Sequence, residues 1–352
     1  MSEQIGEPAR RAFRLDAAAH RAGASAKAAW WSLNAWTARQ LVPHERQTAA
    51  VSPLPPPPPG LVKQLWKEAF DKDAADVAAG LYRVAEAAPA TPLEPLVRAL
   101  DIIADARAVQ ARRMKGEGTE ARAQADSPAY PAYYRQNFHY QSGGWFTQQS
   151  ARRYEAQVEA LFAGTAGPMR RRALSLLAKA WRGRDQRGLT LVDVACGSGA
   201  FLVDLKASFP RAAVFGHDLS RPYLAEAASR SGAPVVQSLA ERLPFADDSL
   251  DAVTCVYLFH ELPPKVRSVV AAEIARVLKP GGLLAFADSV QASEAPKIAR
   301  LLDAFPAFFH EPFYKSYQET DLPALFGAAG LSLKTSDNAF LTKAMLFEKP
   351  AP

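Results

Sequence analysis

A glycine-rich turn carries the sharpest chemical signal in this chain of 352 residues. The strand-like run Leu191–Val194 is followed by the turn Ala195–Gly199, and a helical stretch begins at about residue 200. Residues without bulk let the backbone approach a ligand closely, so such a turn can hold a nucleoside or a dinucleotide. The dinucleotide pattern G-x-G-x-x-G is incomplete here, because Leu202 stands at the position of its third glycine.

An acidic residue at the end of the second strand-like run strengthens the prediction of a nucleoside site. Asp218 follows the run 213–217 and lies about 20 residues after Gly197. A carboxylate at the end of the second parallel strand is placed to accept hydrogen bonds from both ribose hydroxyls. The alternative is that Asp218 or Ser220 caps the helix that follows.

Candidate general bases follow the fourth strand-like run and two aromatic segments. His260 and Glu261 come at the sheet edge where ligands bind in open α/β folds. His139 lies in an aromatic segment with two consecutive glycines, which could form a lid, and His310 lies in the aromatic segment 308–314. These four residues are the catalytic candidates. The alternatives are buried core histidines and a packed aromatic connector.

The cysteines and acids give no further site. Cys196 and Cys255 are the two cysteines of the chain, too few for a disulfide framework, and they fit a reducing, cytoplasmic compartment. No set of histidines, acids and cysteines has the spacing of metal ligands. Asp288 follows the fifth strand-like run, but companion acids are not evident, so no metal is predicted.

The elements that must position these residues form an α/β pattern from residue 189 onwards. Short β-branched runs alternate with helical stretches, which predicts βαβ units and a parallel sheet with helices on both faces. The runs 331–336 and 339–349 follow each other closely and indicate a closing antiparallel pair.

The first half of the chain is predicted to be helical. We expect an Ala- and Trp-rich helical extension at 1–50, a polyproline linker at 51–60 and a helical cap at 61–185, before the α/β domain at 186–352. Five consecutive prolines favour an extended rod, which marks a domain boundary. The tryptophans of the extension could dock on the protein, on a second subunit or at a membrane interface.

Charge is distributed unevenly along the chain. The net charge is +6, and the segment 170–187 contains seven arginines and lysines against one acid. We expect a solvated helix face and a loop there, with an anionic substrate, RNA or a lipid surface as the alternatives. A chain that is 49% hydrophobic and 22% charged is neither collagen-like nor fully disordered. No apolar stretch is long enough for a spanning helix.

Four motifs together resemble the class I S-adenosylmethionine-dependent methyltransferases, and most closely the type 11 group that includes ubiquinone- and menaquinone-biosynthesis enzymes. They are the turn after the first strand, Asp218, the segment 240–251, and the helix end with two glycines at 275–282. The resemblance covers about 150–350 of the chain. It implies a Rossmann-like seven-stranded sheet whose last strand is antiparallel. It also implies S-adenosylmethionine as cofactor and S-adenosylhomocysteine as product.

The same resemblance implies roles for single residues. The turn would lie under the methionine part, Asp218 would hold the ribose, and residues at the ends of the third and fourth strands would line the adenine and the sulfonium. The implied cofactor-binding residues are Tyr154, Asp193, Ala195, Cys196, Gly197, Gly199, Asp218, Leu219, Ala240, Glu241, Val256 and Tyr257. Two positions depart from the family. Ala195 replaces a usual glycine and is expected to keep a negative φ, and Leu239 replaces an acid that bonds the adenine amino group.

The expected function is methyl transfer to the oxygen or a carbon of a small, apolar or aromatic molecule. The run 257–262 lacks the Asn/Asp-Pro-Pro-Tyr/Phe pattern of enzymes that methylate amino groups of nucleic acids. An RNA or protein methyltransferase that uses the segment 170–187 is the alternative enzyme, and a non-catalytic cofactor-binding scaffold is the alternative outside enzymes. The expected partner is a small molecule rather than nucleic acid, and the sequence leaves room for peripheral membrane contact and a homo-oligomer.

Overall fold

The computed structural model describes residues 52–85, 94–125 and 130–351, together with scattered positions between 20 and 33. Those scattered positions are helical, in agreement with the helix predicted near the N-terminus. Trp36 and the other residues of the predicted N-terminal extension lie outside the described residues.

Seven strands form one mixed sheet. They are β1 (Thr190–Val194), β2 (Ala213–Asp218), β3 (Val235–Gln237), β4 (Leu250–Val256), β5 (Leu278–Ser289), β6 (Ser332–Ala339) and β7 (Thr342–Glu348). Their order in the sheet is β3-β2-β1-β4-β5-β7-β6. The pairs among β1 to β5 are parallel, and β7 is antiparallel to both of its neighbours. The predicted fold class, including the antiparallel last strand, is confirmed.

Helices cover both faces of the sheet. They are α1 (Leu61–Ala78), α2 (Glu94–Lys115), α3 (Gln148–Leu161), α4 (Ala166–Ala180), α5 (Ala200–Ser208), α6 (Arg221–Ser231), α7 (Pro264–Val277), α8 (Ala299–Phe308), α9 (Tyr314–Gln318) and α10 (Leu322–Ala328). Successive side chains of a strand point to opposite faces, so a sheet covered on both faces is apolar on both. Leu191 of β1 accordingly packs in the core with α1, α4 and α5, whereas Val192 packs in the core with α7, α9 and α10.

The helix α4 packs directly against the sheet. Its residues Ala173, Leu174 and Leu177 are completely buried and share a core with Leu191 and Ala285. The sequence analysis placed this helix in a cap of residues 61–185. The structure therefore joins the last helix of that range to the core of the α/β domain.

The basic segment 170–187 is not a solvated helix face at its start, and that expectation was wrong. Arg170, Arg171 and Arg172 are all buried. Arg171 donates two hydrogen bonds of 2.7 Å to the two carboxylate oxygens of Asp73, and Arg172 pairs with Asp76. Because these three arginines are buried and paired with acids, they are not available at the surface to bind RNA.

Two segments that precede the sheet in the chain contact helices of the α/β domain. Residues 52–60 are not helical, and Arg300 of α8 donates a hydrogen bond of 2.8 Å to the Leu54 carbonyl. The aromatic segment 130–146 packs through Phe138 and Trp145 on Tyr223 of α6. In the part of the chain that the structure describes, no helix combines the length and apolar character needed to cross a membrane.

Candidate active site

A first cavity lies at the carboxyl ends of β1, β2 and β4. The strand order reverses between β1 and β4, and open α/β sheets bind ligands at such a switch point. The predicted cofactor residues that line this cavity are Tyr154, Asp193, Ala195, Cys196, Gly197, Asp218, Leu219, Ala240, Glu241, Val256 and Tyr257. We refer to this space as the cofactor cavity.

Asp218 is held rigidly at the end of β2. Its Oδ2 accepts a hydrogen bond of 2.9 Å from the Gly197 amide, and its Oδ1 accepts one of 2.8 Å from the Ser220 amide. Burial raises the pKa of Asp218 to about 6. The side chain of Ser220, and not that of Asp218, caps helix α6, because it accepts a hydrogen bond from the Tyr223 amide. The alternative role of Asp218 as the capping residue is therefore taken by Ser220.

The turn after β1 has three residues in the left-handed region. The φ angles of Ala195, Gly197 and Gly199 are +59°, +54° and +79°. The expectation of a negative φ at Ala195 was wrong, because the chain turns there to let the Cys196 amide reach the His217 carbonyl at 2.8 Å. A Cβ on Gly197 would enter open space, so the missing side chain leaves room in the cofactor cavity.

Gly199 has a packing role in this structure. It does not line the cofactor cavity but precedes the first turn of α5. A Cβ at this position would lie 2.6 Å from Cα of Ala227 in α6. The close approach of α5 and α6 therefore requires a glycine here, whereas direct contact of Gly199 with a cofactor stays a prediction.

Two further acids face the cofactor cavity from opposite sides. Asp193 of β1 accepts a hydrogen bond of 2.6 Å from the Thr254 hydroxyl, and burial raises its pKa to about 7. Glu241 accepts a hydrogen bond of 2.6 Å from the Tyr133 hydroxyl through Oε1. Leu239 does not line this cavity, whereas Glu241, two positions later, does.

A buried ion pair and an aromatic cluster close the cofactor cavity. Arg170 of α4 lines it and donates a hydrogen bond of 2.7 Å to Glu155 of α3. Trp145 and Tyr154 pack edge to face with a centroid distance of 5.4 Å, and both contact Tyr223. The segment 130–146 and α3 thus shield this cavity from solvent.

A second cavity of about 660 Å³ adjoins the first. Tyr154, Tyr257 and Glu261 line both, so the two spaces share a wall. The remaining walls are largely apolar or aromatic and come from α2, from α3 and α8 with the residues directly after them, and from the start of α9; they include Leu161, Phe162, Leu301, Phe305, Phe308, Phe309 and Tyr314. We refer to this space as the acceptor cavity. Its size is that of a site for a small organic molecule.

His260 faces the acceptor cavity and is held by Asp288. The His260 Nδ1 atom lies 2.6 Å from Asp288 Oδ1, and Asp288 Oδ2 also accepts the Phe259 and His260 amides. Burial alone would lower the pKa of His260, but the Asp288 carboxylate outweighs it and raises this pKa to about 9. Because Asp288 engages Nδ1, Nε2 is the ring nitrogen left for a ligand.

The candidate histidines lie in three segments of the chain, and two of these segments bring a histidine to the acceptor cavity. His139 and His260 line it, but His310 does not, and its Nε2 lies 2.9 Å from Gln136 Oε1. His310, one of the four catalytic candidates, therefore does not reach this cavity in the structure. The neighbouring Glu311 contacts a residue of the cavity wall instead, with its Oε1 3.1 Å from His139 Nδ1.

Comparison with known proteins identifies the family. The methyltransferase-domain family matches residues 192–286. An uncharacterized methyltransferase of Synechocystis sp. is 33% identical over 150 residues, which cover 42% of this chain and 68% of that protein. The chain belongs to the class I S-adenosylmethionine-dependent methyltransferases.

Two other relatives have more specific names. The ubiquinone/menaquinone biosynthesis C-methyltransferase of Desulfotalea psychrophila is 42% identical over 95 residues, which cover 26% of this methyltransferase and 38% of that protein. The demethylmenaquinone methyltransferase of Deinococcus radiodurans is 36% identical over 99 residues, with coverages of 27% and 40%. The chain spans about two fifths of the length of these two relatives.

The cofactor cavity of this methyltransferase offers unpaired polar atoms. Among the described residues, Trp145 Nε1, Glu155 Oε2 and Glu241 Oε2 are buried without a hydrogen-bond partner. Buried polar groups of native proteins are nearly always paired, so these atoms indicate a polar ligand. One donor and two acceptors, beside a glycine that leaves open space, fit the amino, hydroxyl and carboxylate groups of S-adenosylmethionine.

Several residues of the two cavities were not singled out by the sequence analysis. Arg170 and Trp145 line the cofactor cavity, and Glu311 lies beside His139. Arg170 was visible only as a member of a basic run, because its partner Glu155 lies on another helix. Trp145 and Glu311 lie in the aromatic segments whose histidines were chosen, so those segments were the available signal.

Proposed function

We propose that the chain transfers the methyl group of S-adenosylmethionine to an oxygen or a carbon of a small apolar or aromatic molecule. The observation that supports this proposal most is the wall shared by the cofactor cavity and the acceptor cavity. Methyl transfer requires the acceptor to lie in line with the methyl group and water to be excluded. Two cavities that share a wall would bring the methyl group and the acceptor side by side, and the aromatic cluster over the cofactor cavity would help to exclude water.

The cofactor would be held along the carboxyl edge of the sheet. Asp218 accepts hydrogen bonds from the ribose hydroxyls, the turn 195–197 supports the methionine part, and Arg170 attracts its carboxylate. Glu241 accepts a hydrogen bond from the adenine amino group. When bound, S-adenosylmethionine supplies an electrophilic methyl carbon, whose bond to sulfur breaks as the bond to the acceptor forms, the electron pair staying on sulfur.

The acceptor class follows from the walls of the acceptor cavity. Flat apolar surfaces, on which an aromatic ring packs well, come from Phe305 and Phe308 of α8 and from Phe309 directly after this helix. The relatives named for ubiquinone, menaquinone and demethylmenaquinone also support an aromatic acceptor. We therefore infer a hydroxylated aromatic molecule, since its conjugate base can be methylated at oxygen or at a ring carbon.

In its neutral form, whose population grows as the pH rises towards its pKa of about 9, His260 would remove the proton of the acceptor hydroxyl. It lines the acceptor cavity, and Asp288 fixes the orientation of its ring through Nδ1. The proton passes from the acceptor hydroxyl to Nε2, and the Asp288 carboxylate stabilises the imidazolium that results.

The test is a methyl-transfer assay with labelled S-adenosylmethionine and a panel of phenols and naphthohydroquinones. We expect transfer of label to at least one member, and we expect His260→Gln to lower kcat by about 10²–10⁴-fold, because general base catalysis contributes that much. Cofactor affinity measured by calorimetry should stay the same in this variant.

His310→Gln is the matched control, because His310 does not line the acceptor cavity and pairs with Gln136. Its kcat should equal that of the wild type. Absence of transfer to every member of the panel, with the cofactor bound, would contradict the proposed acceptor class. Equal kcat values for His260→Gln and the wild type would contradict the role of His260.

A further inference from the structure

His139, Glu261 and Glu311 form a compact cluster beside the acceptor cavity. One donor atom from each residue lies within 4.8 Å of the others. His139 Nδ1 lies 3.1 Å from Glu311 Oε1, and His139 Nε2 lies 3.7 Å from Glu261 Oε1. The three side chains come from the segment 130–146, the turn after β4 and the turn before α9, so the fold brings them together from distant parts of the chain.

The carboxylate of Glu311 lacks hydrogen-bond donors although its side chain is fully buried. Within the described chain, neither of its oxygens accepts a hydrogen bond, and the contact with His139 Nδ1 lacks hydrogen-bond geometry. Taking a carboxylate out of water without hydrogen-bond donors is strongly unfavourable, so Glu311, whose close partner is the His139 ring at 3.1 Å, still lacks a ligand that engages its oxygens directly.

The backbone that presents His139 is strained. His139 and Tyr140 have φ angles of +57° and +55°, and neither is a glycine. Left-handed backbone is unfavourable for residues other than glycine, and this conformation persists where the surrounding structure enforces it, often at functional sites. The strain supports a functional rather than a packing role for this histidine.

We infer that His139, Glu261 and Glu311 bind a divalent transition-metal ion. One imidazole nitrogen and two carboxylate oxygens are the donors that ions such as Mn²⁺, Co²⁺ and Zn²⁺ accept, and the charge of the ion balances the two carboxylates. Distances of about 2.0–2.2 Å between the ion and its ligand atoms require the three donor atoms, which lie within 4.8 Å of one another here, to move slightly closer together. Glu311 then gains the partner that it lacks.

The open coordination positions of the ion face the acceptor cavity, because His139 and Glu261 line it. The ion would hold an oxygen atom of the acceptor near the wall shared with the cofactor cavity. This role rests on the proposed function. Binding of the ion itself does not, since none of the three ligands comes from the cofactor-binding turn.

The experiment titrates Co²⁺ into the full chain after treatment with a chelator and dialysis. Calorimetry and the visible absorption of Co²⁺ should show one bound equivalent, with a spectrum of mixed nitrogen and oxygen ligands. Glu311→Gln keeps the size of the side chain but removes its charge. It should weaken binding by at least about 10–100-fold, since even loss of an outer partner of a metal ligand costs that much.

His310→Gln is the matched control and should bind Co²⁺ like the wild type, because His310 pairs with Gln136 outside the cluster. If Glu311→Gln does not fold, as judged by circular dichroism, the less buried Glu261→Gln replaces it. A wild-type chain that binds no Co²⁺, or a folded glutamine variant that binds as well as the wild type, would overturn the inference. Cofactor calorimetry on the same samples reports separately on the proposed function.

Discussion

The backbone of the turn after β1 is the clearest special feature at the scale of single residues. Ala195 adopts a φ of +59°, a conformation in which its Cβ crowds the following carbonyl oxygen. A residue held in such a conformation next to a ligand cavity stores strain that the rest of the fold must offset. The alanine at this position is therefore a cost to stability that a glycine would remove.

We predict that Ala195→Gly raises the free energy of unfolding. Relief of strain contributes about 1–2 kcal/mol and the greater freedom of glycine in the unfolded chain removes about 0.4–1 kcal/mol, which leaves a gain of about 0.5–1 kcal/mol. Urea denaturation measures it. The control is Ala225→Gly on the exposed side of α6, which should lose about 1 kcal/mol. An equal loss in both variants would contradict the strained φ.

The sequence predicts which cavity a single side chain lines where a motif fixes the backbone. It does not predict this where the course of a loop determines which side chain points to the cavity. Asp218 lines the cofactor cavity as expected, because a strand end has one geometry. His310 and Glu311 are adjacent, and the course of the loop decides that Glu311 contacts His139 while His310 pairs with Gln136. The free carboxylate oxygen of Glu241 was hidden for a similar reason, because only the structure shows that its other oxygen is bonded to Tyr133.

Buried ion pairs join helices at the scale of elements. Arg171 of α4 bonds both oxygens of Asp73 in α1 and also contacts Asp204 of α5. Burial alone would raise the pKa of Asp73, but Arg171 outweighs it and holds this pKa well below its usual range. The pair is therefore ionised at neutral pH and fastens α1 to the helix that packs against the sheet.

We predict that Asp73→Asn lowers the free energy of unfolding by about 3–5 kcal/mol, because it leaves the buried charge of Arg171 without its main partner. Urea denaturation at neutral pH measures the loss. Asp71→Asn is the control, since Asp71 belongs to an exposed pair with Lys67 and should change stability by at most about 0.5 kcal/mol. Similar stabilities of the two variants would contradict the fastening role of Asp73.

The sheet could be predicted from the sequence more fully than the contacts of its helices. The alternation of β-branched runs and helical stretches has one simple solution, a parallel sheet covered on both faces. The basic run of α4 is compatible with a solvated or a buried helix. The acids whose ion pairs determine that it is buried lie almost 100 residues earlier, in α1. A pattern along one helix contains no information about such distant partners.

The arrangement of two cavities is the main feature at the scale of the whole molecule. The sheet supplies the turn, Asp218 and the strand ends, while α2, α3, α8 and the segment 130–146 cover them. Neither the sheet nor the helices and segment that cover it would enclose a ligand alone. The account therefore depends on the cofactor cavity being a true binding site for S-adenosylmethionine in the complete chain.

Calorimetric titration of S-adenosylmethionine into the full chain tests this claim most directly. The account predicts one bound equivalent at about pH 7.5 and at least about tenfold weaker binding at about pH 5. Burial raises the pKa of Asp218 to about 6, so the carboxyl group takes up a proton below that pH and loses its preference for the ribose hydroxyls. Asp218→Asn should bind more weakly at the higher pH and lose this part of the pH dependence.

Asp71→Asn, which changes an exposed carboxylate far along the chain from the turn, should bind like the wild type at both pH values. Equal binding by Asp218→Asn and the wild type would contradict the assignment of the ribose to Asp218. A chain that gives no heat with S-adenosylmethionine or S-adenosylhomocysteine, or that binds a nicotinamide dinucleotide instead, would contradict the account as a whole.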